Sequence, residues 1–409
     1  MKGAPDLFTQ AFHGPLESPP VKVVVVNEEV GRGLVATRNI KRGEIIFTES
    51  AAVSHQQDTG VPGCSYCLSS LAGVEASPSL GALPHKDCFP EPAEIVHCPE
   101  CQEAYCGVRC LEHAKILFHQ RLCCGRGQAR VREFLREKDF DSYNVNVVSM
   151  VVKLVSMMVQ EAERNGGDFV LASEPFCRWT SQRGMAEMVS IDMNELRGML
   201  IQALSLTEKE RAWVTVELVE RCSAMVCLNS IIIRMKSPFA EYFSTMRRRV
   251  SEAEKNLAVE EILKVTGGVS AQEADAYFHE LCGVQGCCMF ALHACCNHSC
   301  KPVAEVRGSG FFTHTIDVVA TTDIYRGDPI TITYVNPKLK WIQRCELLQK
   351  NYGFICACVA CASEFCKKGD DEVGSASDET SESEDNSEDG DCDINPEEWA
   401  SVEDALDAN

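Results

Sequence analysis

The chain has 409 residues, 45% hydrophobic and 24% charged, so it is long enough to bury a large core and to hold two or three domains. Its 39 Lys and Arg against 60 Asp and Glu give a net charge of −21, which argues against direct binding of nucleic acid because phosphates would be repelled. The N-terminus lacks the apolar stretch of a signal peptide, so the 24 cysteines predict metal ligands and free thiols in the cytosol or nucleus rather than disulfides.

The first predicted elements are β-strands around a glycine turn. The β-branched run Val21 to Val26 predicts one strand, Gly31-Arg32-Gly33 a turn, and Glu44 to Phe47 a second strand. A segment dense in cysteine and histidine follows, from Cys64 to Cys123, and residues 128 to 281 then have a mostly helical pattern. No internal repeat is found. Strands at both ends, with the cysteine-rich segment and the helices between them, indicate one β-rich domain interrupted by insertions.

The most apolar run of the chain lies in this helical region, from Val145 to Val159. Asn146, Ser149, Lys153 and Ser156 interrupt it, and no other run is long enough to cross a bilayer. We therefore predict a buried helix and no membrane partner.

Short strands return after residue 283. They are predicted at Ala304 to Arg307, Phe311 to Val319 and Pro329 to Tyr334. A cysteine cluster, Cys356 to Cys361, comes next and precedes an acidic tail.

The tail holds most of the net negative charge. From Gly369 onward there are 17 Asp and Glu and no Lys or Arg, so the other residues have 39 basic against 43 acidic side chains, a net of −4. Such a segment cannot bury enough apolar surface to fold, so residues 369–409 are predicted to be disordered. It is either a solvated tail that aids solubility or a segment that attracts or competes with a basic substrate.

Four closely spaced pairs of potential zinc ligands lie between residues 64 and 123. Zinc prefers four tetrahedral thiolate or imidazole ligands, so one pair cannot complete a site and the pairs must combine. An interleaved arrangement fits the spacing. Its predicted ligands are Cys64, Cys67, Cys106 and Cys110 in one site, and Cys98, Cys101, His119 and Cys123 in the other. His85 and Cys88 lie in the long gap after Cys67, have no partner pair, and are left out of both sites.

Four further motifs flank this segment, one before it and three after it. The first is Gly31-Arg32-Gly33-Leu34. The other three are Asn297-His298-Ser299-Cys300, the strand Ile330 to Tyr334, and Tyr352-Gly353-Phe354 followed by Cys356-x-Cys358-x2-Cys361. The cysteine pairs resemble a MYND zinc finger. Together with it, the four motifs resemble the SET and MYND domain-containing lysine methyltransferase family, over roughly Val21 to Cys361. Within that family the chain is most similar to members with an acidic tail in place of a large helical C-terminal domain, and next to plant trithorax-related relatives.

The resemblance implies an α+β fold. A β-rich SET domain would be split by a MYND finger and a helical insertion, and followed by a post-SET zinc segment and the disordered acidic tail. The expected boundaries are 20–60 and 283–340 for the two parts of the SET domain, 64–123 for the finger, 128–282 for the helical insertion, 341–366 for the post-SET segment, and 369–409 for the tail.

The resemblance also implies a donor site for S-adenosylmethionine and a third zinc ion. The donor would be bound by Gly31, Arg32, Gly33, Asn229, Asn297, His298, Tyr334 and Phe354. Tyr334 and Tyr352 would be catalytic and would line the channel for the target lysine. Cys300 would complete the third zinc site with Cys356, Cys358 and Cys361, which gives three zinc ions per chain.

Two positions depart from the family pattern. Val303 follows Pro302 where the family usually has Asn, and Asp328-Pro329 precedes the catalytic strand where the family usually has Glu-Glu. Neither change removes a zinc ligand or a channel tyrosine. The missing Asn, however, takes a polar group away from the active site.

The leading hypothesis is a protein-lysine N-methyltransferase of the nucleus or cytoplasm, expected to be a monomer, that acts on histone or non-histone proteins, ribosomal ones among them. The alternative is a scaffold with weak or no activity, because MYND fingers dock proline-containing peptides. The intact Tyr334, Tyr352 and NHSC motif favour the enzyme. A nucleic-acid-binding zinc protein is excluded by charge, and Arg247-Arg248-Arg249 is too short a basic patch to change this.

Overall fold

The structure is a computed structural model, and it describes residues 19–27, 30–57, 61–71, 85–90, 94–123, 127–181, 189–235, 237–266, 283–308 and 313–364. The chain forms two compact units. The larger unit consists of Met1–Pro19, Phe47–Ala294 and Arg307–Val318, and the smaller unit consists of Pro20–Ile46, Cys295–Val306 and Val319–Asn409. The predicted disordered tail, residues 369–409, lies outside the described residues.

The described residues contain twelve strands and eleven α-helices. The strands are β1 (Val21–Asn27), β2 (Gly31–Ala36), β3 (Ile45–Ser50), β4 (Val53–Gln56), β5 (Val96–His97), β6 (Ala104–Tyr105), β7 (Ser230–Arg234), β8 (Gln285–Met289), β9 (Asn297–His298), β10 (Ala304–Gly308), β11 (Thr315–Ala320) and β12 (Pro329–Ile332). The helices are α1 (Val108–Ala114), α2 (Gln120–Cys123), α3 (Gly127–Lys138), α4 (Ser142–Arg164), α5 (Phe169–Ser173), α6 (Met193–Ala203), α7 (Glu208–Trp213), α8 (Val216–Asn229), α9 (Pro238–Arg249), α10 (Glu252–Thr266) and α11 (Trp341–Tyr352).

The sheet of the smaller unit has the order β1-β2-β12-β9. Strands β1 and β12 both run antiparallel to β2, and β12 runs parallel to β9. In this register Thr331 pairs with Asn297 and Ile332 pairs with His298. The strand that leads to Tyr334 therefore lies directly beside the first two residues of the NHSC motif.

The core of the larger unit surrounds α4. Asp141 caps this helix by accepting a hydrogen bond from the Asn144 N–H, and the next turns are almost entirely buried. By length and composition α4 could cross a membrane, but 83% of its most apolar 18-residue window is buried inside the protein. The predicted buried helix is thus confirmed. The larger unit also contains a sheet of order β4-β8-β7 and the two-stranded β5-β6 ribbon, and a further sheet has the order β10-β11-β3.

A strand interrupts the region that was predicted to be mostly helical, residues 128 to 281. α8 ends at Asn229, and Ser230–Arg234 forms β7. The run Ile231 to Ile233 is β-branched and favours an extended backbone, and β7 pairs antiparallel with β8 along its full length. Local preference and sheet pairing together end the helix here.

Candidate functional site

Gly31-Arg32-Gly33 was predicted as a turn, but Val30 is in the turn and the three residues form the start of strand β2, where they pair with β1. This glycine segment, still named the glycine turn, contacts the NHSC motif within the smaller unit. Asn297 Nδ2 donates to the carbonyl oxygen of Arg32 at 3.0 Å. A Cβ atom at Gly33 would lie only 2.9 Å from that same Nδ2, and Gly31 has a φ of +72°, which favours glycine. The turn can therefore approach the Asn297 side chain only because position 33 has no side chain.

Four aromatic rings gather beside this turn. The ring centroids of Tyr334 and Tyr352 are 4.8 Å apart, and those of Tyr352 and Phe354 are 6.4 Å apart. His298 lies 5.3 Å from Tyr334 and 6.1 Å from Phe354. Three of the rings, Tyr334, Tyr352 and Phe354, also pack against the cysteine cluster of this unit. The structure therefore brings the predicted donor and channel aromatics together in one cluster.

The tyrosine hydroxyls of this cluster are phenols at neutral pH. Burial raises the pKa of Tyr334 well above its ordinary value, and burial also raises the pKa of Tyr352. The Tyr334 hydroxyl donates to the Cys296 carbonyl oxygen at 2.7 Å. Its oxygen keeps its lone pairs for an incoming group, so Tyr334 can accept hydrogen bonds but cannot act as a base at neutral pH.

His298 links the segment that bears Tyr334 to the nearby cysteines. The Tyr334 N–H donates to Nδ1 of His298 at 3.0 Å, so Nδ1 must be the unprotonated nitrogen. Nε2 then bears the proton and lies 3.3 Å from Cys300 Sγ. Burial lowers the pKa of His298 to about 4, which keeps the ring neutral at pH 7. Both ring nitrogens therefore have partners within the protein.

Four cysteines of the smaller unit form a compact cluster. The thiols of Cys300, Cys356, Cys358 and Cys361 all lie within 4.8 Å of one another. Four thiols converging on one point, with no carboxylate among them, fit the donor set that zinc prefers. The structure thus assembles the four predicted ligands of the third zinc. Sequence analysis missed Cys345, whose thiol hydrogen-bonds to Cys361, because it stands alone in α11 without a partner at pair spacing.

Two further clusters lie in the larger unit, and their memberships match the interleaved prediction. Cys64, Cys67, Cys106 and Cys110 form one, and Cys98, Cys101, His119 and Cys123 form the other. Adjacent ligand atoms are in contact: Cys67 Sγ and Cys106 Sγ are 3.5 Å apart, and Cys101 Sγ and His119 Nε2 are 3.4 Å apart. Both sets fit tetrahedral zinc. His85 and Cys88 belong to neither cluster.

Asn229 is at the end of α8 in the larger unit. Its amide donates to the carbonyl oxygens of Met225 and Thr180 and accepts from the Thr180 N–H, at 2.7, 2.9 and 3.3 Å. These bonds hold the segment at Thr180 against the helix end. They use both amide hydrogens and leave a single lone pair of the amide oxygen for another donor.

The two departures from the family pattern have local partners of their own. The Val303 N–H donates to Thr331 Oγ1 at 3.4 Å, and its carbonyl accepts from the Thr321 N–H. Asp328 accepts from the Tyr325 N–H at 2.9 Å and so closes the turn before β12. Both positions therefore stabilise the loops on which they stand.

Glu49 in the larger unit carries no sequence motif and was missed. Its carboxylate is buried and accepts from the backbone N–H groups of Ala291, Leu292 and His293, at 2.8, 2.7 and 2.9 Å. Burial raises the pKa of Glu49 to about 7, against the opposing effect of the three hydrogen bonds. The segment that Glu49 holds comes directly before the NHSC motif in the chain, and an isolated acidic residue at the end of a predicted strand gives no signal of such a role.

The SET domain family matches residues 31–335, well over half of the chain, and the chain belongs to this family. The fold is accordingly a SET methyltransferase fold with mixed helices and sheets. Among known proteins, Protein-lysine N-trimethyltransferase SMYD5 of Homo sapiens is 25% identical over 377 residues, which cover 84% of this chain and 87% of that protein. The SMYD5 protein of Gallus gallus is 26% identical over 401 residues, covering 89% and 90%. Histone-lysine N-methyltransferase ATXR2 of Arabidopsis thaliana is 26% identical over 324 residues, covering 69% and 65%. The predicted family resemblance is confirmed.

Proposed function

We propose that this chain is a protein-lysine N-methyltransferase that uses S-adenosylmethionine. The observation that supports this most is the aromatic cluster of Tyr334, Tyr352, Phe354 and His298 beside Asn297, in a chain of the SET domain family. Basic proteins, histones and ribosomal proteins among them, are the proposed substrates. Because the similar SMYD5 proteins are named trimethyltransferases, we include trimethyllysine among the proposed products.

The three cysteine clusters are proposed to bind one zinc ion each. In this proposal residues 64–123 are a MYND finger that docks proline-containing peptides, and residues 341–366 are a post-SET segment. Residues 20–60 and 283–340 make the SET domain, residues 128–282 are its helical insertion, and 369–409 are a disordered tail. The protein would act as a monomer in the nucleus or cytoplasm.

The donor site is proposed to lie along the glycine turn and the NHSC motif. When bound, the donor supplies a methyl group on a sulfonium, whose carbon–sulfur bond breaks as the amine attacks in line. Asn297, fixed by the Arg32 carbonyl, would bind the amino-acid part of the donor. His298 would contribute its backbone and ring face, because both ring nitrogens are engaged. Gly31 and Gly33 would allow close backbone approach.

Two further side chains of the smaller unit are proposed to contact the donor. Phe354 and Tyr334 would offer aromatic faces to the adenosine and the sulfonium cation, which aromatic rings attract.

The protein's task in the transfer is to dehydrate and align the target lysine. A lysine amine, with a pKa of ~10.4, attacks only after losing its proton, and removal from water favours the neutral form. Tyr334 and Tyr352 stay protonated, so the lysine proton leaves to water rather than to a tyrosinate. The Tyr334 oxygen can accept from the amine N–H or from a methyl C–H group. Such alignment can lower a barrier by roughly 7–11 kcal/mol.

The test is transfer of labelled methyl groups from S-adenosylmethionine to a mixture of histones and ribosomal proteins. The Tyr334→Phe variant is expected to lose about 100-fold in kcat, comparable to removing one aligned hydrogen-bonding group. Its donor affinity, measured by calorimetry, should change little. Tyr325→Phe is the matched control, because Tyr325 is 63% exposed in the same unit.

One result would contradict the proposed methyltransferase function, and another would contradict only the role of Tyr334. Wild-type protein that neither binds donor nor transfers methyl groups would favour the peptide-binding scaffold. Equal rates for wild type and Tyr334→Phe would reject the role of Tyr334 and leave the methyltransferase function standing. Mass spectrometry of the product counts the methyl groups added.

A further inference from the structure

The three proposed zinc clusters differ in formal charge. Four thiolates around Zn²⁺ leave a net charge of −2, whereas three thiolates and a neutral histidine leave −1. A net charge in a poorly hydrated interior costs free energy unless an opposite charge or hydrogen-bond donors are nearby. The two all-cysteine clusters, at Cys64 and at Cys300, therefore need more compensation than the cluster that contains His119.

A buried guanidinium lies against the all-cysteine cluster of the smaller unit. Arg344 is only 4% exposed, and its Nη2 lies 3.9 Å from Cys361 Sγ. Nη1 donates to the Leu339 carbonyl at 2.6 Å, and Nη2 also donates to Glu364 at 2.8 Å. These two bonds fix the guanidinium beside the thiol. Glu364 is 44% exposed, so water screens its charge more than that of the buried cluster.

A buried ammonium lies against the ligand loop of the all-cysteine cluster in the larger unit. Lys153 Nζ donates to the carbonyl oxygens of Ser54, at 2.5 Å, and Ser65, at 3.2 Å. Ser65 stands between Cys64 and Cys67, within the loop that presents two of the proposed zinc ligands. The ammonium also lies 4.8 Å from the centre of the Phe118 ring. One carboxylate, that of Glu103, also acts on Lys153, and it pairs with Arg132 at 2.7 Å.

We propose that Arg344 and Lys153 are the counter-cations of the two all-cysteine zinc clusters and slow the loss of zinc from them. The inference rests on the zinc sites proposed above. Arg344 contacts a thiolate directly, whereas Lys153 acts through the ligand loop and through its charge. Both are positioning residues, because they act on the ligands and touch neither donor nor substrate.

The first test measures zinc release from the full chain to a chromogenic chelator. Arg344→Met removes the charge and retains an apolar side chain, and one of three zinc ions should then leave about 10–100-fold faster, as is usual when a partner of a metal ligand is removed. Thiol alkylation followed by mass spectrometry should place the loss at Cys300, Cys356, Cys358 and Cys361. Lys153→Met should likewise release the zinc of the Cys64 cluster. The cluster with His119 should keep its rate in both variants.

Matched controls remove exposed cations from the same two units. Lys350→Met changes an exposed lysine on the helix that bears Arg344, and Arg136→Met changes an exposed arginine of α3 whose guanidinium donates to the Arg132 carbonyl. Neither should alter release by more than about twofold. Arg344→Lys keeps the charge and should restore slow release in part, because a lysine lacks the fixed fork of the guanidinium.

Several outcomes would overturn the inference. Release rates of Arg344→Met and Lys153→Met within twofold of wild type would do so, as would equal acceleration at all three clusters, which indicates general loosening. If Arg344→Met does not fold, the test compares Arg344→Lys with Arg344→Gln. Both side chains can donate hydrogen bonds, but only the lysine is charged. Equal rates of zinc release from these two variants would contradict the role of Arg344 as a counter-cation. Wild-type protein that binds no zinc would reject the sites themselves. Normal zinc release without methyl transfer would contradict only the proposed function.

Discussion

A single hydrogen bond, from Asn297 Nδ2 to the Arg32 carbonyl, joins positions 265 residues apart and holds the glycine turn against the NHSC motif. The neighbouring His298 makes a second such connection. Its ring bonds to the Tyr334 N–H and lies beside Cys300 Sγ, and both contacts depend on the pairing of β9 with β12. Two adjacent side chains of one motif therefore fix three separate segments of the smaller unit.

Gly33→Ala is expected to weaken donor binding without unfolding the protein. The added Cβ would meet Asn297 Nδ2 and a methyl group of Val26, both at 2.9 Å, so the Asn297 amide must move away from the Arg32 carbonyl. We expect the donor Kd to rise about 10-fold, equivalent to about 1.4 kcal/mol. Calorimetric titration with S-adenosylhomocysteine measures it. The control is Gly198→Ala, where a Cβ meets nothing within 4 Å; an unchanged Kd for Gly33→Ala would contradict the donor site.

Glu49 is expected to make stability depend on pH near neutrality. Its pKa in the folded protein, about 7, lies above its ordinary value of 4.5, so its contribution to stability is full below pH 4.5 and is lost as the pH rises through 7. The free energy of unfolding should therefore fall by about 1 kcal/mol from this group between roughly pH 6 and pH 8. Glu49→Gln should remove that part of the slope in urea unfolding followed by tryptophan fluorescence.

A second comparison separates Glu49 from the zinc thiolates, which also respond to acid. Zinc content is measured at each pH, and only the range in which all zinc is retained is compared. Identical slopes for wild type and Glu49→Gln in that range would show that Glu49 is ionised throughout in the folded protein.

At the scale of elements, α4 shows how a polar residue in an apolar helix can be misjudged. From the sequence alone, Lys153 and Ser156 indicated only that the apolar run Val145 to Val159 does not cross a membrane. In the structure, Ser156 Oγ donates to the Phe118 carbonyl at 2.6 Å, and Gln160 Nε2 donates to the carbonyls of Lys115 and Ile116. The residues Lys115–His119 form a π-helical turn. The backbone carbonyls of Lys115, Ile116 and Phe118 accept their hydrogen bonds from side chains of α4. A one-turn π-helix has no reliable sequence signal, so the sequence could not predict these partners.

Gln160→Ala is expected to destabilise the protein by about 2–4 kcal/mol, because it leaves several buried backbone groups without partners. Besides its two donated bonds, Gln160 accepts from the Arg121 N–H at 3.0 Å, and its side chain is buried. Urea unfolding measures the loss. Gln202→Ala, at an exposed position of α6, should change stability by less than about 0.5 kcal/mol. A comparably small effect at Gln160 would contradict its role in supporting the turn.

Helices and strands were otherwise predicted well where a long stretch of sequence follows one hydrophobic pattern. A strand was missed where a helical pattern runs directly into a β-branched segment. Strand β1 and helix α4 were expected within a few residues of their observed bounds. The α8–β7 junction was not, because helical spacing continues up to Asn229 while Ile231 to Ile233 pair in a sheet with β8, more than fifty residues later in the chain. The grouping of the eight candidate ligands between Cys64 and Cys123 into two sets of four was predictable for a different reason: a tetrahedral ion needs four ligands, and few combinations of pairs supply them.

For the molecule as a whole, the proposed donor residues are far apart in the sequence. The smaller unit is made from three segments, and residues 47–294 are inserted between the first and the second. The glycine turn and the NHSC motif thus belong to one unit although most of the larger unit lies between them in sequence. An interruption of this kind was expected from the order of the motifs, since the resemblance to the SET family continues after the cysteine-rich segment, residues 64–123.

The acidic tail is expected to raise the local concentration of basic substrates. Removing residues 369–409 changes the net charge from −21 to −4, so it removes most of the long-range attraction for a positively charged protein. Because exposed charges are screened within about 10 Å at 0.1 M salt and about 30 Å at 0.01 M, the effect should be large only at low ionic strength. Truncation should therefore raise the KM for a lysine-rich substrate several-fold at about 0.01 M salt and leave kcat unchanged. The difference in KM should vanish at roughly 0.5 M salt.

A control variant separates the charge of the tail from its length. A tail of equal length, with its acidic residues replaced by Ser and Asn, should behave like the truncation. A fall in KM on truncation would instead mean that the tail competes with the substrate for the catalytic surface.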